Sequence, residues 1–450
     1  MDQLLKGIDE VNAGRLAEYK QNLMVGGGSP GPCLVSGKGV RVNDIDGNSY
    51  IDCTSQSWAL YLGYCNEEIR ECVYEHMSAL THVHQGFDTR ERASLAHKLA
   101  SLAPEQLNRV SFTVGGGAAI EAAMKIAMKN VPGAQSFVNL WDSYHGSTLT
   151  AVGASWPSTK SAGKFVGPAN NFLPNINPHF VRAPNPYCYR CYFDQRCESC
   201  NLKCLEMLRL TMEKGVCGPV AGVIVEPIQA SGGQIPLPKK YLQGLRQLCD
   251  EFGALLIFDE IQTYCRIGDY FAANYYGVEP DIIVLGKALG AGFPIAAIII
   301  HDRLKGFGMD AEELHTFANN SVSQVAALKQ LEIIERDHIL DNVNRVGAHI
   351  AEGLRDIQTR YPEIGDVRQL GLHIGVEMID PADGSPMEHD KAAAIRSVAM
   401  SRNGIIVGTG GFKKYIIKIK PPLITTMTEA DEILCRFENT LRQVLREGAK

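Results

Sequence analysis

No stretch of this 450-residue chain is apolar for long enough to cross a bilayer. No run of Lys and Arg exceeds a pair such as Lys413-Lys414. Acidic side chains outnumber basic ones by 50 to 44, for a net charge of −6, so the nucleic-acid footprint of a basic patch is missing. Repeats and low-complexity tracts are absent. Met1 to Lys20 mixes Asp, Glu, Lys and Arg and lacks the apolar core of a secretion signal. These gaps leave the expectation of a cytoplasmic protein with neither nucleic acid nor membrane as partner. What remains is ordinary globular composition: 45% hydrophobic, 21% charged and 8% aromatic. The length suits two or three domains of roughly 150 residues each.

Thirteen cysteines in a chain without a secretion signal read as reduced thiols first, metal ligands second and disulfides last. Five of them, Cys188, Cys191, Cys197, Cys200 and Cys204, crowd into 17 residues with paired C-x-x-C spacing. Only five residues separate the pairs, fewer than in usual zinc ribbons, and the expectation is no metal.

The pattern along the chain predicts an α/β protein. Gly39–Val42, the turn Asp46-Gly47-Asn48 and Tyr50–Asp52 read as a hairpin. From about 66 to 320, short apolar runs ending in Gly or an acid alternate with helical stretches: Arg109–Val114, Ser136–Leu140, Ala221–Val225, Ala254–Phe258 and Asp281–Leu285. Continuous apolar runs belong to strands buried on both faces, hence a mainly parallel sheet covered by helices. Helices over 325–336 and 342–359, strands near 366–379 and 414–419 and a helix near 428–446 predict a smaller α+β domain. The expected units are residues 1–65, joining the small domain, 66–322, the large domain, and 323–450, the small domain.

Ligands of α/β sheets gather at the C-terminal strand ends, so the residues following each apolar run are the candidates. Gly115-Gly116-Gly117 opens a helix beginning near Ala118, and exposed N–H groups at a helix start suit a phosphate, although a tight turn also explains three glycines. Tyr144-His145-Gly146 offers an aromatic and an imidazole for a ring, or a packed corner. Glu226-Pro227 and Asp259-Glu260 put carboxylates at strand ends, as functional groups or as turn and cap formers. Lys287 follows Ile282–Leu285 and Gly286. Lysine is rarely interior without a task, and desolvation favours the free amine that condenses with an aldehyde. A lysine, an acid and a phosphate cradle are the needs of pyridoxal phosphate.

Leu256-Ile257-Phe258-Asp259-Glu260-Ile261-Gln262-Thr263, then Pro280-Asp281-Ile282 and Gly286-Lys287-Ala288-Leu289, resemble in order and spacing the signature of the class III aminotransferases, which are fold type I pyridoxal-phosphate enzymes. Tyr144-His145-Gly146, Glu226-Pro227-Ile228-Gln229, Thr316-Phe317 and Lys420–Thr425 fall where that family has equivalents. The resemblance implies that Lys287 bears the Schiff base and Asp259 pairs with the pyridine nitrogen. Ile261 and Tyr144 would pack on the two ring faces, with Gln262 near the ring hydroxyl, and Gly116 and Gly117 would bind the phosphate. His145 and Glu226 complete the expected coenzyme contacts. Thr316 would reach the phosphate of a partner subunit's coenzyme, which implies a homodimer with shared sites. Trp58 stands where some members have a substrate-pocket aromatic.

Several positions depart from the family pattern. The hydroxyls usual near Gly115 and Gly117 are absent, and Ala118 stands in place of an acid. Gln262–Arg266 is one residue shorter than usual before its arginine. Lys418 stands where many members place an arginine for a substrate carboxylate. Lysine lacks the bidentate fork, so the departure points away from simple α-amino acids and toward an amine on a polar scaffold, such as an amino sugar of an antibiotic (aminoglycoside) pathway; a solvent-facing Lys418 is the plain alternative. The same site would serve an epimerase or a lyase (dehydratase). A nicotinamide dehydrogenase is disfavoured, because no Gly-x-Gly-x-x-Gly follows a first strand.

Overall fold

The computed structural model describes residues 13–24, 31–155, 160–161, 164–165, 180–308, 312–411 and 414–448. Residues 1–12 and 25–30 of the expected N-terminal segment lie outside these, as do 156–159, 162–163 and 166–179 of the expected large domain.

A seven-stranded sheet forms the centre, in the order Leu107–Thr113, Ala296–His301, Ile282–Leu285, Leu255–Asp259, Val220–Val225, Ser136–Leu140, Phe180–Ala183. Every residue of Val220–Val225, Leu255–Asp259 and Ile282–Leu285 is buried, as continuous apolar runs require. Each Val, Leu or Ile enclosed in this way contributes about 1.5–3 kcal/mol of hydrophobic stabilisation. The sheet is mainly parallel but not wholly so, since Ala296–His301 runs antiparallel to both neighbours. That strand and Phe180–Ala183 are two the alternating pattern did not single out.

Helices cover both faces. Lys239–Phe252 buries Tyr241, Leu242, Leu245, Leu248 and Cys249, one apolar stripe at helical spacing, and stops at Gly253. Gly253 takes the left-handed conformation (φ +64°) and its N–H bonds the carbonyls of Cys249 and Asp250. The helix after the glycine loop spans Gly116–Asn130, starting two residues earlier than the sequence pattern suggests. The C-terminal helices span Ser321–Arg336, Ile339–Arg360, His389–Ser401 and Met427–Leu445. The last is opened by a reciprocal cap between Thr426 and Glu429.

Two smaller sheets flank the large one. Ile364–Leu370, His373–Met378, Ile416–Ile419 and Gly408–Gly410 form an antiparallel sheet. The N-terminal strands Leu34–Lys38, Arg41–Asp44 and Ser49–Asp52 form another, and Ile405–Ile406 joins it beside Ser49–Asp52 in parallel. Chain near residue 50 is thereby tied to chain near residue 405, and this brings Trp58 and Lys418 to one place.

Candidate active site

Adjacent strand ends deliver the acidic groups. Asp259 closes Leu255–Asp259, and its Oδ1 accepts the N–H of Ile261 at 3.1 Å while Oδ2 lies 2.7 Å from Nδ1 of His145. Glu226 follows Val220–Val225, accepting the N–H of Tyr144 (2.9 Å) and of Ala230 (3.0 Å). Burial pushes its carboxyl up to about 7, with Asp259 adding to the shift and His145 opposing it. Glu260 is of another kind: it accepts from the Thr263 hydroxyl and from the N–H groups of Ala272 and Ala273, and serves as a buried structural cap.

Lys287 follows Ile282–Leu285 in a left-handed backbone conformation (φ +46°), a strain that non-glycine residues carry mainly at sites of function. Burial pulls its ammonium below the ordinary lysine range, against the pull of Asp259 and Glu226. Gly286 lies close to the glycine loop: a Cβ there would stand 3.5 Å from Cα of Gly116.

A cavity of about 240 Å3 is lined by Gly116, Gly117, Tyr144, His145, Gly146, Ser147, Thr148, Glu226, Asp259, Ile261, Gln262 and Lys287. A Cβ on Gly116 would meet Cδ1 of Ile261 at 2.9 Å, and one on Gly117 would meet Thr148 at 2.8 Å, so bare backbone forms this end of the cavity. Ser147 and Thr148 were missed as candidates. Their signal was their place on the loop directly after Tyr144-His145, and they bring hydroxyls where the glycine loop has none. Nε2 of His145 is buried without a partner among the described residues.

Trp58 and Lys418 border this group instead of lining the cavity. Ser55, Gln56, Ser57 and Trp58 all have positive φ (46°, 47°, 60°, 68°), a left-handed turn costing roughly 1–2 kcal/mol per residue. Asp52 holds the turn by accepting from Thr54 N and Oγ1 and from Gln56 N. Fully buried Arg266 donates to Ser55 Oγ (3.0 Å), Pro421 O (2.8 Å) and Leu372 O (3.3 Å), fastening three segments together. The Trp58 ring then receives Nζ of Lys420 at 3.9 Å, Lys418 at 4.6 Å and Lys287 at 5.9 Å from its centroid. Lys418 is buried, which overturns the solvent-facing alternative. Burial, with Lys414 close by, brings its ammonium down to about 7. Lys420 and Arg266 were present in the motifs without a role, and no local pattern marked them as neighbours of Trp58.

Thr316 is exposed, on the turn before the helix Ser321–Arg336, and does not line the cavity of its own chain. The five clustered cysteines are free thiols lining one enclosed space of about 20 Å3. Among the described residues no three His, Cys, Asp or Glu are grouped so as to hold a metal ion, and no helix is long and apolar enough to cross a membrane.

The family model for class III aminotransferases matches residues 27–441. An adenosylmethionine-8-amino-7-oxononanoate aminotransferase of Geobacter sulfurreducens is 31% identical over 430 residues, covering 91% of this chain and 92% of that protein. A diaminobutyrate–2-oxoglutarate aminotransferase of Rhizobium meliloti is 31% identical, covering 92% and 89%. A leucine/methionine racemase of Thermococcus litoralis is also 31% identical, covering 91% and 90%. Among solved structures, a PLP-bound amine transaminase from an uncultivated Pseudomonas species superposes with a TM-score of 0.85 at 26% identity, covering 94% of this chain and 98% of that one.

Proposed function

This chain is a member of the class III aminotransferase family, and from that membership we propose that it moves an amino group between a polar amine donor and a keto or aldehyde acceptor by ping-pong chemistry. The observation that carries the reading is the cavity that joins Lys287, Asp259 and the bare backbone of Gly116 and Gly117.

These residues fit pyridoxal phosphate, the coenzyme of the family. A Cβ at Gly116 or Gly117 would fill the space suited to the phosphate, and Ser147 and Thr148 stand beside it. Asp259, fixed by Ile261 N and His145, suits a protonated pyridine nitrogen. Ile261, Tyr144 and Gln262 all line the cavity, which supports contacts of the first two to the ring faces and of Gln262 to the ring hydroxyl. When bound, the coenzyme supplies an aldehyde and an electron sink. The amine Nζ of Lys287, lowered by burial, is suited to that aldehyde. Displaced by a substrate amine, Nζ of Lys287 would be the base that takes a proton from the substrate carbon and returns it.

The wall of Trp58, Lys418 and Lys420 is the substrate side. An indole face flanked by lysines that, among the described residues, have no carboxylate partner, Lys418 among them about half protonated at pH 7, suits a hydroxylated amine such as an amino sugar of an antibiotic pathway. Exposed Thr316 fits a role toward a second subunit, so the working form is a homodimer, acting in the cytoplasm. A relative named as a racemase keeps epimerisation as the second reading.

Borohydride reduction of the coenzyme-loaded protein, then digestion, tests the reading. The peptide holding Lys287 is expected to gain the coenzyme mass, and Lys287→Ala to lose both the mass and at least about 10^3-fold in turnover. An unlabelled Lys287 peptide overturns the proposal. Titration with amines separates the two readings. Transamination consumes the visible band of the coenzyme, whereas epimerisation leaves it in place while the substrate changes configuration.

A further inference from the structure

Lys420 is enclosed completely, yet among the described residues it has no carboxylate partner. The charged groups around it are mostly of its own sign, Lys418, Arg266 and Lys287, with Glu226 the opposing one. Neighbouring His373 is buried with both ring nitrogens unpartnered among the described residues. A buried cation in such company is costly, so its retention calls for a task.

Its backbone leaves the side chain little choice of direction. The N–H of Lys420 bonds Cys53 O at 2.8 Å, its carbonyl accepts from Ser55 Oγ at 2.8 Å, and Arg266 holds the next carbonyl, that of Pro421. Nζ then lies between the Trp58 face, 3.9 Å away, and Oε1 of Gln262, to which it donates at 2.8 Å. This hydrogen bond decides which way the Gln262 amide faces. Nζ donates here, although burial among like charges holds the ammonium well below the ordinary lysine range, and with Oε1 accepting that N–H the amide NH2 turns away. Gln262 lines the cavity.

We propose that Lys420 is a positioning residue for the reaction: by engaging Oε1 of Gln262 it presents Nε2 to the cavity as a fixed N–H donor for the oxygen on the coenzyme ring. The inference rests on the pyridoxal-phosphate reading above. A donor held at that oxygen stabilises its anionic form and lowers the proton affinity of the neighbouring nitrogen joined to Lys287. Asp259, Glu226, His145 and Lys418 also bear on that proton; Lys418 shares the Trp58 face with Lys420 and is electrostatically linked to it, and the Q262A background separates that effect from the one routed through Gln262.

The test uses the full chain loaded with pyridoxal phosphate, as wild type, K420M, K420R, Q262A and the double variant Q262A/K420M. Borohydride labelling of the Lys287 peptide comes first; failure there overturns the coenzyme reading and not this inference. In labelled preparations the readout is the pH midpoint of the coenzyme's visible absorbance change. K420M is expected to raise it by about one unit, a tenfold change in proton affinity. K420R keeps the wild-type midpoint, and K420M adds no shift in the Q262A background. An unchanged midpoint in K420M overturns the inference. So does an equal shift with Gln262 already removed, which would make Lys420 a bare charge. If K420M does not fold, K420L, which likewise brings no donor, is read in the same way, and its midpoint must move toward that of Q262A.

Discussion

The carboxylates and the cations of this site are buried on different terms. Asp259 and Glu226 each accept hydrogen bonds from groups held close by, among them the N–H groups of Ile261, Tyr144 and Ala230. Lys418 and Lys420 face an indole ring, and Lys420 finds only an amide oxygen. The acidic floor is therefore pre-arranged by strand-end geometry, whereas the basic wall is assembled from residues 52–58, 262–266 and 418–421. On the proposed reading the difference teaches a division of labour, in which the floor would hold the coenzyme and the wall would face the substrate, with Lys420 reaching back to the floor through Gln262.

The sharpest way to break this division is at Asp259. Asp259→Asn keeps an acceptor for Ile261 N–H but removes the charge. It is expected to cut turnover on the order of 10^2–10^3-fold while the Lys287 peptide still takes the coenzyme label; a loss below tenfold would show that the floor does not bear the chemistry. Coenzyme affinity gives a middle-sized test. Gly117→Ala pushes a methyl against Thr148, and equilibrium dialysis should find binding about tenfold weaker, while Lys418→Met stays within about threefold. Equal weakening by both variants would erase the distinction between floor and wall.

The smallest effect is on stability of the coenzyme-free protein, and its sign differs between the two regions. Glu226 has its carboxyl raised from 4.5 to about 7, so its stabilising contribution is complete below about pH 4.5 and is lost as pH rises through about 7. Lys418 is lowered from 10.5 to about 7, so its contribution is complete above about pH 10.5 and is lost as pH falls through about 7. Glu226→Gln should therefore gain in Tm relative to wild type as pH rises from 4.5 to 8, and Lys418→Met should gain as pH falls from 10.5 to 6, each by roughly 1–3 °C. Parallel slopes in calorimetry would contradict the assignment.

Much of the floor was readable in one dimension. A strand buried on both faces must be a continuous apolar run, so Leu255–Phe258 and Ile282–Leu285 announced themselves, and Asp259 and Lys287 followed by adjacency. Ala296–His301 went unnoticed because only the short 3-10 turn Lys287–Gly290 separates it from Ile282–Leu285, which puts it outside the strand-and-helix alternation that marked the others. Glu260 stands beside Asp259 in the same motif, yet only the helix start at Ala272–Ala273 shows that it is a cap.

The amino-acid order alone determined the alternation of strands and helices, the family signature and the two residues proposed for the centre of the chemistry, because each depends on a short segment and its immediate periodicity. Tertiary structure alone decided that Lys418 is buried, that Trp58 stands on a left-handed turn, and that Lys420 meets Gln262 across 158 positions of chain. Those facts depend on burial and on charges brought together from distant segments, and neither is a property of any one stretch of sequence.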